Sequence, residues 1–308
     1  MKDQVYQIVT DRIVEALRKG VVPWRKPWRT GIGPDGVAYG PKNLVSKHAY
    51  RGVNIFTLMA TGYGSDYWLT FNQARTLGGC VKKGEHGTPV IFWKFLDSLD
   101  EKTQKKSRIP LLRYFTVFNV EQCDGLADAI PKPAPVEPKT EAQKIESAEA
   151  VVKAYEGCPP ITYGGDAAAY SPGIDRIKMP VRETFESPEH FYSTLFHEMT
   201  HSTGHESRLD RRMIGKAAWG SGDYGREELV AECGAAFLTA EAGIDIPAVR
   251  ENEAAYLGHW MEAINGDPRM VVVAAGAAQR ASDWIMGRRP KAEAKAEPEI
   301  DVSGEAAE

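Results

Sequence analysis

The chain has 308 residues, of which 43% are apolar and 26% charged, a composition typical of a soluble globular protein with about two domains. No run of about 18 apolar residues occurs, which excludes a transmembrane helix, and the N-terminus lacks the pattern of a signal peptide. The four cysteines have no CxxC spacing. We therefore expect reduced thiols, a cytoplasmic location and no cysteine metal site.

The two halves of the chain carry opposite charge. Residues 1–120 hold 19 lysines and arginines against 9 acidic residues, whereas the remainder holds 19 against 33, although the whole chain carries only −4. The basic half also contains 16 of the 29 aromatic residues. Cations that follow phosphates and rings that stack on bases suit single-stranded nucleic acid, so this half predicts a DNA-binding domain. An ordinary core beneath a basic surface explains the composition equally well.

The N-terminal half predicts a mixture of helices and strands. Apolar residues recur at helical spacing from Val5 to Leu17, and Gly20 ends that helix. Thr70 and Gln73 have the spacing of a capping box, which predicts a short helix up to Leu77. Strands are predicted at Trp68–Phe71, Val90–Trp93 and Leu111–Val120.

The segment from Pro23 to Arg29 is the best local candidate for DNA contacts, because it combines two tryptophans with three cations in a loop that prolines keep irregular. The candidate stacking residues are Trp24, Trp28 and Trp93. The candidate phosphate contacts are Arg25, Lys26, Lys82 and Lys83. The alternative interpretation is that the loop tryptophans close a core.

A proline-rich stretch, IPKPAPVEPK, separates the basic half from a more helical half. The sequence thus predicts an α+β protein with two independently folding domains: residues 1–125, a linker over 126–140, a mainly helical domain over 141–287 and a disordered tail over 288–308. Within the second domain, a helix is predicted from Thr140 to Tyr155. Residues 168–179 predict an edge strand and turn whose backbone could align an extended peptide.

The strongest motif is HEMTH at residues 197–201, an HExxH pattern inside a predicted helix that Ser187 caps. Residues four apart lie on one helix face, so His197 and His201 are predicted to bind one metal ion. Glu198 lies one position further round the helix. It is predicted to act as the general base that takes a proton from water.

A third ligand is expected downstream, where Glu228 and Glu232 share one face of a second predicted helix. We predict Glu228 as the ligand and Glu232 as a supporting residue that accepts a hydrogen bond from a ligating histidine. The alternative is that both glutamates belong to a solvated helix face. The ion is expected to be zinc, although another divalent metal also suits these ligands. Candidate transition-state stabilisers are Tyr224, His205 and Tyr170.

Six segments in order resemble one family over nearly all of residues 3–287. They are YQIVTDRIVEALRKGVVPWRKPW, YRGVNIF, WLTFNQARTLGGCVKKGEHG, YFTVFNVEQCDGL, HEMTHSTGHESRLDR and YGREELVAECGAAFL. The family is ArdC, antirestriction proteins associated with plasmids and phages. The resemblance implies an N-terminal domain that binds single-stranded DNA, a zincin-like metallopeptidase domain, and protection of incoming DNA from restriction. It also implies that His197, His201 and Glu228 are the metal ligands.

Two functions from different classes follow. In the first, the protein is a zinc-dependent peptidase that cuts an unknown protein or peptide substrate at DNA. In the second, it is a DNA-binding protector whose metal site is structural or vestigial. Glu198 favours the first, because a structural site needs no general base, whereas masking DNA needs no hydrolysis. A protease that acts on a repressor is a third reading, but it leaves the basic aromatic half unexplained.

Overall fold

The computed structural model has the α+β architecture expected from the sequence. Within the residues that it describes, no helix is long and apolar enough to cross a membrane. The described residues are 2–25, 40–99, 106–131, 139–211, 222–244 and 253–288.

The N-terminal half is built around a four-stranded sheet. Its elements in chain order are α1 (Lys2–Arg18), a 3-10 turn (Pro23–Arg25), β1 (Lys42–Asn43), α2 (Val53–Met59), β2 (Tyr67–Thr70), α3 (Phe71–Thr76), β3 (Cys80–Val81), β4 (Thr88–Leu99), β5 (Lys106–Asn119) and β6 (Cys123–Asp124). The strand order is β1–β2–β5–β4, and β3 pairs with β6 in a separate ribbon. All three predicted strands therefore lie in this sheet, and β4 pairs antiparallel along its whole length with residues 106–117 of β5.

The predicted capping box is confirmed at the junction of β2 and α3. The backbone N–H of Gln73 donates to the hydroxyl of Thr70 at 3.2 Å, and the Gln73 side chain accepts from the Thr70 N–H at 2.9 Å. Strand β2 consequently ends at Thr70, one residue earlier than predicted, because Phe71 is the first residue of the helix.

The second half places helices around a small sheet. Its elements are α4 (Glu141–Ala154), β7 (Ile161–Tyr163), β8 (Ala169–Ser171), β9 (Arg176–Met179), α5 (Pro188–Ser202), α6 (Gly222–Ala242), α7 (Glu253–Gly266) and α8 (Met270–Ile285). The strand order is β7–β9–β8, so β8 is an edge strand, as predicted for this segment. It packs against α5.

One hydrophobic core joins the two halves. Residues of α1, α2 and β4 pack with residues of α6, α7 and α8 in a single buried cluster. The rings of Phe56 on α2 and Phe237 on α6 stack with centroids 5.1 Å apart. This shared core argues against the predicted independent folding, because separating the halves would expose apolar surface on both. Residues 132–138 of the predicted linker lie outside the described ranges.

Candidate metal centre

Helix α5 carries the HExxH residues, and local signals set its start. Ser187 is extended and its hydroxyl accepts a hydrogen bond from the backbone N–H of His190 at 3.4 Å, while Pro188 occupies the first helical position. The apolar side chains of the helix are buried, which leaves His197 and His201 half-buried on the face toward α6. The predicted helix is therefore confirmed.

Three side chains converge in the groove between α5 and α6. The Nε2 atoms of His197 and His201 are 3.1 Å apart. The Glu228 carboxylate lies 3.5 Å from the Nε2 of His197 and 3.6 Å from that of His201. Ligands of a tetrahedral zinc ion, each at about 2.0–2.1 Å, lie roughly 3.3 Å from one another. The donor atoms therefore fit a divalent ion, and all three lie within 4.8 Å of one another.

The close approach of α5 and α6 depends on Gly234. A Cβ atom at this position would lie 2.4 Å from Cγ2 and 2.5 Å from Oγ1 of Thr200. Thr200 is itself fixed by a hydrogen bond from its hydroxyl to the carbonyl of Phe196, at 2.7 Å. Only glycine lets the two helices meet here, and this contact brings Glu228 to the histidines.

Glu227 supports the site from the same helix. Its Oε1 lies 3.3 Å from Nδ1 of His201, and it also accepts a 2.7 Å hydrogen bond from Arg211. Burial raises the pKa of Glu227, but the hydrogen bonds from His201 and Arg211 outweigh that effect, so its pKa is lowered. Among the described residues, Glu232 makes no hydrogen bond with a ligating histidine and pairs with Arg25 instead, although its charge acts on His197. The sequence feature that could have pointed to Glu227 is its position directly before the predicted ligand Glu228.

Glu198 is buried, 8% exposed, beside the two histidines. Its Oε2 accepts a 2.7 Å hydrogen bond from the backbone N–H of Tyr170 on β8. That N–H points away from β9, because alternate residues of an antiparallel edge strand direct their backbone groups outward. Among the described residues, Oε1 of Glu198 makes no hydrogen bond. The carboxylate is thus held at one oxygen only.

The edge strand is held in turn by Arg208 and Asp175. The Tyr170 hydroxyl donates to Asp175 at 2.8 Å and accepts from Arg208 at 3.2 Å. Arg208 also pairs with Asp175 and donates to the carbonyl of Ser202 at 2.7 Å. Strand β8 is therefore tied to the C-terminal end of α5, and the contact between Tyr170 and Glu198 follows from that link.

Negative charge dominates the site. Burial lowers the pKa of His197, and the hydrogen bond to Glu228 raises it. The charges of Glu232 and Glu198 raise it further, so the pKa of His197 lies above its ordinary value of 6.5. Carboxylates that stabilise a protonated imidazole also favour a divalent cation in the same place.

The three candidate transition-state stabilisers fall in different places. The Tyr170 hydroxyl is already engaged by Asp175 and Arg208. His205 lies in the turn after α5, where its Nδ1 is 2.8 Å from the hydroxyl of Ser207. The side chain of Tyr224 lies outside the described residues.

One of the predicted DNA contacts is contradicted, and a second side chain is paired within the protein. Trp24 is fully buried, 0% exposed, with its ring edge-on to Trp260 at 5.9 Å, so no base can stack on it. Arg25 donates from Nη2 to both carboxylate oxygens of Glu232 at 3.3 Å, so its guanidinium lies against α6, and its contact with phosphate stays a prediction. The loop tryptophan Trp24 closes a core, the alternative interpretation of this segment.

The other predicted DNA contacts stay predictions. Lys82 and Lys83 are exposed, and Lys82 Nζ donates to the carbonyl of Glu121 at 2.8 Å. Trp93 lies in β4, but its side chain lies outside the described residues. Lys26 and Trp28 fall in the range 26–39, which is likewise outside them.

Two family profiles match the chain. The N-terminal domain of anti-restriction factor ArdC matches residues 3–118, and a zincin-like metallopeptidase domain matches residues 146–277. The second match contains every residue of the candidate centre.

Curated relatives cover most of the chain. Two DNA primases named TraC from Escherichia coli are 36% and 34% identical over 94% of the chain, which spans only 20% and 28% of their length. The protein y4eC of Sinorhizobium fredii is 36% identical, with 94% of both chains covered.

Two solved structures are similar, both of the antirestriction protein ArdC from plasmid R388 and both 36% identical. The metal-free structure has a TM-score of 0.66 and covers 91% of this chain and 96% of its own. The Mn(II)-bound structure has a TM-score of 0.70 and covers 92% and 97%. The zincin-like profile and the Mn(II)-bound relative support a divalent-metal site here. The chain belongs to the ArdC family of antirestriction proteins, with an ArdC N-terminal domain followed by a zincin-like metallopeptidase domain.

Proposed function

We propose that the protein is a metal-dependent peptidase that works while bound to single-stranded DNA. The observation that carries the peptidase assignment is the convergence of two imidazoles and a carboxylate within 4.8 Å, with the buried carboxylate of Glu198 beside them. A structural ion needs no general base, so Glu198 favours hydrolysis over a vestigial site.

In this proposal His197, His201 and Glu228 hold the ion, and Glu227 fixes the orientation of the His201 ring. A bound divalent cation would polarise a peptide carbonyl and lower the pKa of a water that it coordinates. Glu198 would accept a proton from water at Oε1, since its Oε2 is held by the Tyr170 N–H. Two imidazoles with one carboxylate suit zinc, which we propose as the resident ion.

Strand β8 would align the substrate. It is the edge of its sheet, so its outer side can pair with an extended peptide. The carbonyl of Tyr170 lies on the same outer side as the N–H that holds Glu198. A peptide N–H bonded to that carbonyl would bring the next peptide bond toward the general base.

The DNA-binding part of the proposal rests on one face of the N-terminal sheet. Phe71 and Tyr114 are 48% and 49% exposed, which is unusual for aromatic side chains next to a core. Phe118 lies on the same face of β5 as Tyr114, and its ring meets Phe71 with centroids 6.5 Å apart. We propose that bases stack on this face, which replaces the buried Trp24 as the stacking site.

Cations lie beside the same face. Gly87 sits so close to β5 that a Cβ atom there would lie 2.2 Å from Cγ2 of Thr116. The turn that carries Lys82 and Lys83 is therefore held against the strand that presents Tyr114. Both lysines are exposed and could follow the phosphates.

The peptidase is tested with Glu198→Gln. The zinc-loaded wild type and the variant would be offered unfolded casein and a protein crosslinked to a single-stranded oligonucleotide. We expect the variant to cleave about 10²–10⁴-fold more slowly, with unchanged metal content and DNA affinity. Equal cleavage by both proteins would contradict the role of Glu198. Protection from restriction that survives the substitution would assign protection to strand occupancy, as expected if covering DNA needs only affinity.

The stacking face is tested with Phe71→Ala and Tyr114→Ala in the full chain. Each lost ring should weaken binding to a single-stranded oligonucleotide by about 1–3 kcal/mol, measured by fluorescence anisotropy, and affinity should fall as salt rises. Ile174→Ala is the control, because Ile174 is 68% exposed but lies in the other half of the chain. Equal losses in all three variants, or no dependence on salt, would remove the basis for this face.

A further inference from the structure

A cavity of about 250 Å³ opens beside the metal centre, and no role assigned above uses it. His197 forms part of its wall, so the cavity reaches the proposed ion. The remaining wall comes from α5, α6 and the short turn Pro23–Arg25 of the N-terminal half. Both halves of the chain therefore shape it.

The cavity follows the groove between the two helices. On α5, Ser193 precedes His197 by one turn, and on α6, Glu232 and Ala235 continue the face that begins at Glu228. The small side chain of Ala235 leaves the groove open at its far end. A cavity of about 150 Å³ already accommodates a benzene ring, so this one has room for a single large side chain.

Opposite charges meet in the wall. Nη2 of Arg25 lies 3.3 Å from each carboxylate oxygen of Glu232, and the two side chains remain 26% and 20% exposed. The pair joins positions 207 residues apart in the chain. Ser193 adds a half-buried hydroxyl that makes no hydrogen bond among the described residues. The lining thus offers a donor, an acceptor and a hydroxyl within one small volume.

This lining discriminates among side chains. A lysine or arginine would gain attraction from Glu232 but lose it to repulsion by Arg25, and the reverse holds for an aspartate or glutamate. An apolar side chain would cover the partly exposed ion pair and offer it no hydrogen bond. A carboxamide carries an acceptor that suits Arg25 and a donor that suits Glu232, and it has no charge to be repelled.

We propose that this cavity binds a glutamine or asparagine side chain of the substrate, next to the bond to be cleaved, with Arg25 and Glu232 as the specificity-determining residues. The inference rests on the proposed peptidase function for the identity of its ligand. It assigns a residue of the N-terminal half to substrate selection in the other half. The two halves would then be coupled by recognition as well as by their common core.

The test uses four peptide hydroxamates that carry glutamine, leucine, lysine or glutamate beside the hydroxamate, bound to the zinc-loaded full chain and measured by calorimetry. Wild type should bind the glutamine probe about tenfold more tightly than the two charged probes. Arg25→Gln, which leaves Glu232 unpaired, should make the lysine probe the tightest. Glu232→Gln should make the glutamate probe the tightest. The proposal would be overturned if the wild type bound the leucine probe most tightly. It would also be overturned if the order of affinities were the same in the wild type and both variants.

Two further variants keep the test decisive. Arg25→Lys retains the positive charge and should keep the wild-type ranking, which tests the pocket even if Arg25→Gln does not fold. Arg51→Gln removes another ion pair between the halves, to Asp283, away from the cavity, and should leave the ranking unchanged. If the wild type hydrolyses no peptide but the ranking holds, the proposed reaction fails and the pocket assignment stands.

Discussion

Helix α5 is supported on two sides by arginine–carboxylate pairs that are alike in chemistry and unlike in surroundings. On the α6 side, Arg211 pairs with Glu227, and their side chains are 13% and 11% exposed. On the β8 side, Arg208 pairs with Asp175, whose side chain is 33% exposed. Both arginines also donate to backbone carbonyls near the end of α5.

The difference lies in what each carboxylate touches. Glu227 contacts the ring of His201, a proposed metal ligand, inside a buried groove. Asp175 contacts no proposed ligand. It accepts a hydrogen bond from the Tyr170 hydroxyl, and the backbone N–H of Tyr170 in turn donates to Glu198. Electrostatic interactions weaken with solvent exposure, so we expect changes on the α6 side to have the larger effects.

Removing a ligand should have the largest effect. His197→Ala and Glu228→Ala should each weaken zinc binding by more than about 100-fold. A loss of about 100-fold is the largest expected when a residue only supports a ligand. Glu198→Gln should keep the metal, because Glu198 is proposed as the base. Competition with an indicator chelator, with elemental analysis, measures this. Full occupancy in Glu228→Ala would move the third ligand elsewhere.

Glu227→Gln sharpens the comparison, because it removes a charge from the α6 side and no ligand. Zinc affinity should fall roughly 10–100-fold, since a neutral amide holds the His201 ring less firmly than a carboxylate. The same competition assay applies. Glu206→Gln is the matched control, as Glu206 is exposed in the turn after α5. If both variants lost zinc affinity equally, the loss would reflect the change in overall charge, and Glu227 would have no role in positioning His201.

Gly234→Ala tests the helix contact that creates the α6 side. A methyl group forced against Thr200 should lower the free energy of unfolding by about 1–3 kcal/mol, measured by urea denaturation. Gly258→Ala is the matched control within α7, where no atom lies within 4 Å of the added Cβ. That substitution should stabilise the protein by up to about 1 kcal/mol. If both substitutions changed the free energy of unfolding in the same direction, close packing at Gly234 would be contradicted.

Asp175→Asn should have the smallest effect and tests the β8 side. Hydrogen bonding from Arg208 holds the pKa of Asp175 below its ordinary value of 3.8, although burial opposes this. A lowered pKa in the folded state stabilises the protein above the unfolded-state pKa, and this contribution is lost as pH falls through the folded-state pKa. The free energy of unfolding of the wild type should therefore exceed that of the variant by up to about 1 kcal/mol at pH 7. The difference should shrink as pH falls below the ordinary pKa of 3.8 and disappear below the folded-state pKa of Asp175. A pH-independent difference in urea unfolding would argue against this pair.

Local patterns predicted the parts of the site that lie on one helix. The four-residue spacing of His197 and His201, the cap at Ser187 and the capping box at Thr70 each depend on neighbours within a single turn. Glu228 could also be selected, because ligand chemistry requires a carboxylate near the histidines and Glu228 lies on the next predicted helix. These features need no knowledge of the remaining chain.

Contacts between distant segments were not predictable in the same way. Glu227 and Glu232 are five residues apart and so point about 140° apart on a helix. Only the packing of α6 on α5 decides that Glu227 lies against His201 and that Glu232 lies against Arg25. A tryptophan in a basic loop suits either a base or a core, and the position of Trp260 decides that Trp24 is buried. The partner of Arg25 lies 207 residues away.

By itself, the sequence determined most of the helices, the spacing that places His197 and His201 on one helix face, and the α+β class, because hydrogen bonds and side-chain spacing within single elements fix them. Only the tertiary structure decided that both halves share one core and that Arg25 of the first half lines the cavity of the second. Burial and ion pairing across the chain depend on which surfaces meet. That depends on the packing of all the elements together, which no local pattern contains.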